Sequence, residues 1–293
     1  MSVTNDLQQM HVFFYTLSYH NPRGTLCLGE QLYRLHMNIN KITLTSAMML
    51  LIAPAAQAQS LLGASVEGQF RSYYNDRDDE SYTIEGGADI AIGSNYAIGA
   101  NLSYGADDDE DVDYVNGTVH AMYMASPTTA VGVFVAQDTS SDLFDSTNYG
   151  IEFGGRSNSA RYEIFYGQTD IQDASFDDEL TIFGASFDVM VGAGFSLGLS
   201  IEAFSGFDGF AVDTGEPVDD LATSNISLIT RYTIADTASI YAEIGRQSTD
   251  AFDDDTTFFV EDDVRFINIG ADFTFGGDRG NIFGQRTLVG QLF

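Results

Sequence analysis

From residue 96 the chain alternates: Tyr96, Ile98, Ala100, Leu102 and Tyr104 fall on one side, and Ala97, Gly99, Asn101, Ser103 and Gly105 on the other. A period of two marks an extended strand with two unlike faces. The pattern returns in 195–203, where Phe195, Leu197, Leu199 and Ile201 oppose Ser196, Gly198, Ser200 and Glu202, and in 267–275, where Ile267, Ile269, Ala271, Phe273 and Phe275 oppose Asn268, Gly270, Asp272 and Thr274. This template predicts strands near 62–74, 81–93, 96–105, 113–124, 129–137, 147–156, 160–169, 179–189, 194–205, 223–233, 238–247 and 263–275. The count is about twelve, within a range of roughly 10 to 14.

The predicted connections alternate in kind. Tight turns sit at Ser94-Asn95, Ser126-Pro127-Thr128, Ser157-Asn158-Ser159, Val191-Gly192-Ala193 and Ala235-Asp236-Thr237. The intervening loops are longer, Asp76–Glu80, Asp107–Asp113, Asp138–Asp145, Asp170–Glu179, Asp208–Asp220 and Asp250–Asp263, and hold most of the chain's 43 acids. A twisted meander of this many strands is expected to close on itself, because closure removes its exposed edges. The expected fold class is all-β, an antiparallel up-and-down barrel.

Alternation alone fits a soluble barrel as well as a membrane one; the content of the second face separates them. Opposite the apolar stripe lie Glu67, Arg71, Glu85, Asp89, His120, Glu152, Arg156, Arg161, Glu163, Asp188, Glu202, Arg231, Glu243 and Asp272, among many Gly, Ser and Thr. Small and charged residues suit a hydrated lumen, not a packed core. Aromatics gather at strand ends, Tyr73, Tyr74, Tyr82, Tyr104, Tyr114, Tyr149 and Tyr166 toward the long loops and Tyr96, Tyr123, Tyr232, Phe273 and Phe275 toward the short turns. Two such girdles are what bilayer interfaces favour, so the barrel is expected to be transmembrane.

The N-terminus supports export. From Met37 the chain reads Met-Asn-Ile-Asn-Lys, then an apolar run over 42–52, then Pro54 and Ala56-Gln57-Ala58, the form of a cleavable secretory signal. Residues 37–58 are therefore expected to be a signal peptide and 1–36 a mis-annotated extension ahead of the true start. The barrel would then occupy 59–275, with a C-terminal tail at 276–293. Nothing after residue 58 approaches the apolar length of a spanning helix, so a membrane span there must be made of strands.

The opening segment, Leu62 to Asp76, resembles the first strand and acidic first loop of the Gram-negative outer-membrane porin-like family, and Arg265–Phe275 is similar to its aromatic-terminated closing strand. The resemblance implies an outer-membrane barrel reached by Sec-type export, inserted by the barrel-assembly machinery, in contact with outer-membrane lipid and lipopolysaccharide, and possible as a homo-oligomer. It also implies passive diffusion of small hydrophilic solutes without a cofactor. The tail departs from that family, whose chains stop at the closing aromatic. Counting back from Phe293, Gln291, Val289, Thr287 and Gln285 make a poor lipid face, so Phe275 is taken as the end of the barrel. The tail can anchor in the periplasm, plug the lumen or stay disordered, and the sequence does not choose.

Charge and chemistry narrow the function further. With 12 Lys plus Arg against 43 Asp plus Glu the net charge is −31, which repels nucleic acid. One cysteine, Cys27, and four histidines, His11, His20, His36 and His120, provide no zinc or iron–sulfur ligand cluster. His120, the only histidine after residue 58, is expected to point inward and well down its strand, and no enzyme is predicted. The run Asp107, Asp109, Asp111 is a weak calcium candidate, since Val112 stands where a calcium-binding helix–loop–helix needs glycine. The expected pore lining is Glu67, Arg71, Glu85, Asp89, His120, Glu152, Arg156, Arg161, Glu163, Glu202, Arg231, Glu243 and Asp272. Acids outnumber arginines there, so a cation-preferring channel is the leading expectation, with Arg71, Arg156, Arg161 and Arg231 facing Glu67, Glu152, Glu163 and Glu202 at its narrowest part. The alternative is a closed structural or surface-interaction barrel.

Overall fold

The computed structural model describes residues 61–292 apart from 75–79, 108–111, 142–144, 158, 173–178, 207–209, 212–216, 219, 254–255, 261–263 and 277–279. The expected extension 1–36, the signal 37–58, and Asp109 and Asp111 of the calcium candidate lie outside the described residues.

Twelve long strands form the wall: β1 (Leu61–Tyr74), β2 (Glu80–Ile92), β3 (Tyr96–Asp107), β4 (Asp113–Ser126), β5 (Thr129–Ser140), β6 (Ser146–Arg156), β7 (Ala160–Ile171), β8 (Glu179–Gly192), β9 (Phe195–Ser205), β12 (Asp220–Ala235), β13 (Ala238–Asp253) and β15 (Val264–Phe275). Each pairs antiparallel with the next, and β15 returns to β1 with Ala64 opposite Phe275 and Tyr74 opposite Arg265, closing the barrel. Three short strands add to this: a hairpin of β10 (Phe210–Ala211) and β11 (Pro217–Val218), and β14 (Thr256–Val260), which pairs with the end of β13. Two segments expected as plain loops, 208–220 and 250–263, are thus partly strand. At the short-turn end the β8–β9 turn is set by Gly192 and Gly194, whose φ of 133° and 79° suit glycine.

Glycine also shapes the inside of the wall. Tyr114, Phe165, Tyr241 and Phe266 point inward, and each ring lies over the glycine opposite it on the neighbouring strand, Gly105, Gly184, Gly270 and Gly245. A Cβ at any of the four would overlap the ring. Tyr73 also turns inward, its ring edge-on to Phe266 at 6.2 Å, and Tyr114 is buried beside Thr83. These two tyrosines therefore leave the loop-side girdle in which their strand-end positions had placed them. Strand parity overrides position, because successive side chains point to opposite faces.

Candidate functional site

The wall is inverted relative to a soluble barrel. Ile151 is 61% exposed while Glu152 beside it is 2% exposed, and Val119 is 57% exposed while His120 is fully buried. Val131, Val133, Val135, Leu197, Leu199, Ile226, Leu228, Ile244 and Ile269 continue the outer apolar surface, with Tyr96, Tyr123, Phe195, Tyr232, Phe273 and Phe275 exposed toward the short-turn end. So much contiguous exposed apolar area is stable only against lipid, and closed antiparallel barrels with an apolar band are the outer-membrane type. The chain is an outer-membrane β-barrel. The site to be explained is therefore its lumen.

The lumen is not empty of protein. Residues 280–290 lie inside the barrel along a wall formed mainly by β2 to β7, from the short-turn end toward the long-loop end. At the start Ser65 Oγ donates to Asn281 Oδ1, and the backbone N–H of Ile282 donates to Asp89 Oδ2 at 2.7 Å. Ile282 and Phe283 pack with Ala97, Met122, Met124 and Ala130 in one buried apolar cluster. Leu288 joins Phe134, Phe165, Ile182 and Phe204 in a second cluster nearer the loops.

Between the two clusters sits Arg286, 3% exposed. Its Nη2 donates to Glu152 Oε2 at 2.8 Å and to Glu163 Oε1, and its guanidinium lies 4.3 Å from the Phe165 ring centre and 5.4 Å from that of Phe134. The network continues outward: His120 Nδ1 lies within hydrogen-bond distance of Glu152 Oε1, at 2.8 Å, and Nε2 of Asn101 Oδ1, at 3.1 Å. Asn101 donates in turn to Glu85 Oε1 at 2.6 Å and to the Phe283 carbonyl at 3.3 Å. The carbonyl of Arg286 accepts from Asn116 and Asn148, at 2.9 and 3.0 Å, and the Leu288 N–H donates to Asp138 Oδ2 at 2.8 Å. A buried charge is costly unless it is paired or hydrogen-bonded: Arg286 is paired with Glu152 and Glu163, with its Nε left without a hydrogen-bond partner among the described residues, and Glu85 and Asp138 are held by hydrogen bonds from neutral donors.

The rest of the lumen follows the other wall. A cavity of about 470 Å³ at the short-turn end is lined by Arg156, Arg161, Asp188, Arg231, Asp272 and Ser239 among others. A second, of about 250 Å³, is bounded by Glu67, Arg71, Glu85, Glu163, Glu202 and Glu243 and by the tail residues Gln285, Arg286 and Thr287. Arg161 and Arg231 border both cavities. Arg231 pairs with Asp272 and stands 3.7 Å from Asp188, with its guanidinium 4.7 Å from the Tyr241 ring centre. Tyr241 donates to Glu67 at 2.6 Å, and Arg71 donates to Asn268 at 2.9 Å and to Tyr73 at 3.2 Å.

The sequence-derived lining residues thus divide. Asp89, His120 and Glu152 face the tail; Glu85 and Glu163 touch both tail and cavity; and Glu67, Arg71, Arg156, Arg161, Glu202, Arg231, Glu243 and Asp272 border open space. Arg156 also reaches the Asn281 carbonyl at 3.5 Å. The expected facing of wall arginines by Glu152 and Glu163 is replaced by Arg286, which takes both carboxylates. Asp138, expected in a loop, lies inside β5 and is fully buried. Arg286, Asp138, Asn116, Asn148 and Tyr241 are the functional side chains that reasoning from sequence missed. The available signal was the tail's own pattern of apolar pairs, Ile282-Phe283 and Leu288-Val289, about a single arginine. Among the described residues no cluster of three or more metal-ligating side chains occurs, and Asp107 lies in β3.

No family model and no curated relative matches the chain. Solved structures with similar folds include the NanC porin, 10% identical over 72% of this chain and 98% of that one with a TM-score of 0.49. The KdgM porin, solved in complex with disordered oligogalacturonate, is 9% identical over 72% and 99% with a TM-score of 0.46. OmpT, an outer membrane protein of Vibrio cholerae, is 11% identical over 73% and 97% with a TM-score of 0.40.

Proposed function

We propose that the protein is a porin-like channel for passive diffusion of small hydrophilic solutes, with a preference for cations. The observation that carries this reading is the pair of polar cavities, one at the short-turn end and one between the tail and the opposite wall, with Arg161 and Arg231 in the lining of both. Their linings are charged and hydroxylic, the composition of a hydrated path. Glu67, Glu85, Glu202 and Glu243 border the mid-lumen cavity and supply the cation preference; Arg71, Arg161 and Arg231 oppose it and set the balance. The remaining lining residues, Asp89, His120, Glu152, Arg156, Glu163 and Asp272, hold the tail or shape the short-turn mouth. His120 has both ring nitrogens engaged and lies against Phe283 at 5.7 Å, an arrangement that favours structure over proton-transfer chemistry.

The closed-barrel alternative draws on one specific observation, the ordered tail on half of the wall. In the proposed reading the tail narrows the passage without sealing it. Export through the signal at 37–58, insertion by the assembly machinery through the strand ending at Phe275, lipopolysaccharide contact by the acidic loops and assembly with further copies belong to the same proposal.

The deciding experiment is single-channel recording of the purified protein in a planar bilayer under a KCl gradient. Stable steps with a reversal potential on the potassium side are expected. A protein shown to be folded and inserted, yet silent, would replace this reading with the closed barrel.

A further inference from the structure

The tail is held in an unusual way. Among the described residues it pairs with no strand, and the barrel closes between β1 and β15 without it. Instead, the N–H groups of Ile282, Gly284, Gln285, Arg286 and Leu288 all donate to side chains of the wall, Asp89, Glu163, Glu85, Thr118 and Asp138. Carbonyls at 283 and 286 accept from Asn101, Asn116 and Asn148. Backbone groups read by side chains, flanked by apolar sockets and a charge socket, make a peptide-recognition groove. Wall and tail are packed closely at two glycines: a Cβ on Gly87 would come within 2.7 Å of Asn281 Nδ2 and 2.8 Å of Asn101 Nδ2, and one on Gly154 within 2.8 Å of the Tyr162 carbonyl and 3.0 Å of Phe283 Cε1.

We propose that the lumenal face of β2 to β7 is a peptide-binding site whose resident ligand is the chain's own C-terminal segment, held as a detachable plug. The ligand class is an extended peptide with an aromatic residue, an arginine three positions on and a leucine two beyond that, as in Phe283, Arg286 and Leu288. Detachment breaks no sheet hydrogen bond and leaves five wall carboxylates, Glu85, Asp89, Asp138, Glu152 and Glu163, facing a hydrated lumen. The plug therefore governs how much of the bore is open. This last consequence rests on the channel reading; the binding site does not.

The test uses the intact chain. Arg286→Glu sets a third carboxylate against Glu152 and Glu163 and is expected to expel the segment while leaving the wall unchanged, with folding confirmed by heat-modifiable gel mobility. A fluorescent synthetic peptide spanning 280–293 should bind this variant saturably, and the same peptide carrying Arg286→Glu should bind at least about tenfold more weakly. The variant's conductance should exceed that of the parent by about twofold or more, and the unlabelled peptide should bring it back. In a second variant, Ser65→Cys with Asn281→Cys in a Cys27→Ser background, oxidation should hold conductance at its lower level, and Arg286→Glu added to it should open the bore only after reduction. Peptide binding to a folded but silent barrel would uphold the site and remove the channel reading. A conducting Arg286→Glu barrel that neither binds nor responds to the peptide would overturn the site and leave the channel reading standing.

Discussion

Asp138 ties two strands of the wall and the tail together through one carboxylate. Oδ1 accepts from Asn116 at 2.8 Å, and Oδ2 accepts from Ser146 and Asn148 at 3.0 Å each and from the Leu288 N–H at 2.8 Å. Every partner is a donor, so the site suits an acceptor-only group and an amide fits it badly. Asp138→Asn should therefore leave at least one buried donor facing another, at a cost of about 1–3 kcal/mol. The expected outcome is a lower urea midpoint for the folded barrel together with faster trimming of the C-terminus by carboxypeptidase. A variant with an unchanged midpoint and an equally protected C-terminus would show that Asp138 does not secure the tail. Such a residue is hard to recognise in sequence. It reads as the first acid of an acidic loop, and only the length of β5 reveals that it lies within the wall.

At the scale of elements, the strands were legible because one requirement, lipid outside and water inside, acts at every second position over the whole wall. All twelve long strands stand where the alternation put them, and their ends run on by a few residues where the period fades into the acidic loops. The misreadings have equally physical causes. Tyr73 and Tyr114 look like girdle residues by position, but their parity turns them toward glycines and threonine inside. The tail carries no period at all, because its groove is assembled mainly from β2 to β7, with Ser65 of β1 and Ile182 and Phe204 of β8 and β9 at its ends, and makes no strand of it. The outer face yields its own prediction. Ile151 lies mid-strand and outward, whereas Tyr96 lies at the short-turn rim. Ile151→Arg should cost about 2–4 kcal/mol of folding free energy in phospholipid vesicles and Tyr96→Arg only about 0–1, by the depth dependence of charge in a bilayer. Urea titration of refolding into vesicles measures both. Equal costs at the two sites would contradict the depth assigned to them.

The whole molecule sets its charges in two tiers. Arg286 is the only cation between 280 and 292, and it is taken up by Glu152 and Glu163, so the tail adds little free charge to the passage. On the proposed channel reading, ions would meet the opposite wall, where Glu67, Glu202 and Glu243 stand across from Gln285 and Thr287, with Arg71, Arg161 and Arg231 among them. All three arginines are partly spent, Arg231 and Arg161 on Asp272 and Arg71 on Asn268 and Tyr73, whereas Glu202 and Glu243, the latter accepting from Asn268 at 2.7 Å, border open space with no arginine in salt-bridge contact among the described residues. The acids should then dominate selectivity. Glu202→Gln combined with Glu243→Gln is expected to lower the potassium-to-chloride permeability ratio by about two- to threefold, and Arg161→Gln to raise it, since fixed charge in a narrow low-dielectric path biases the local ion population. The shift should shrink as salt rises, because screening shortens the reach of each charge. Reversal potentials recorded at two ionic strengths test both the sign and the salt dependence. A double glutamine variant with an unaltered reversal potential would mean that ions do not pass along this wall.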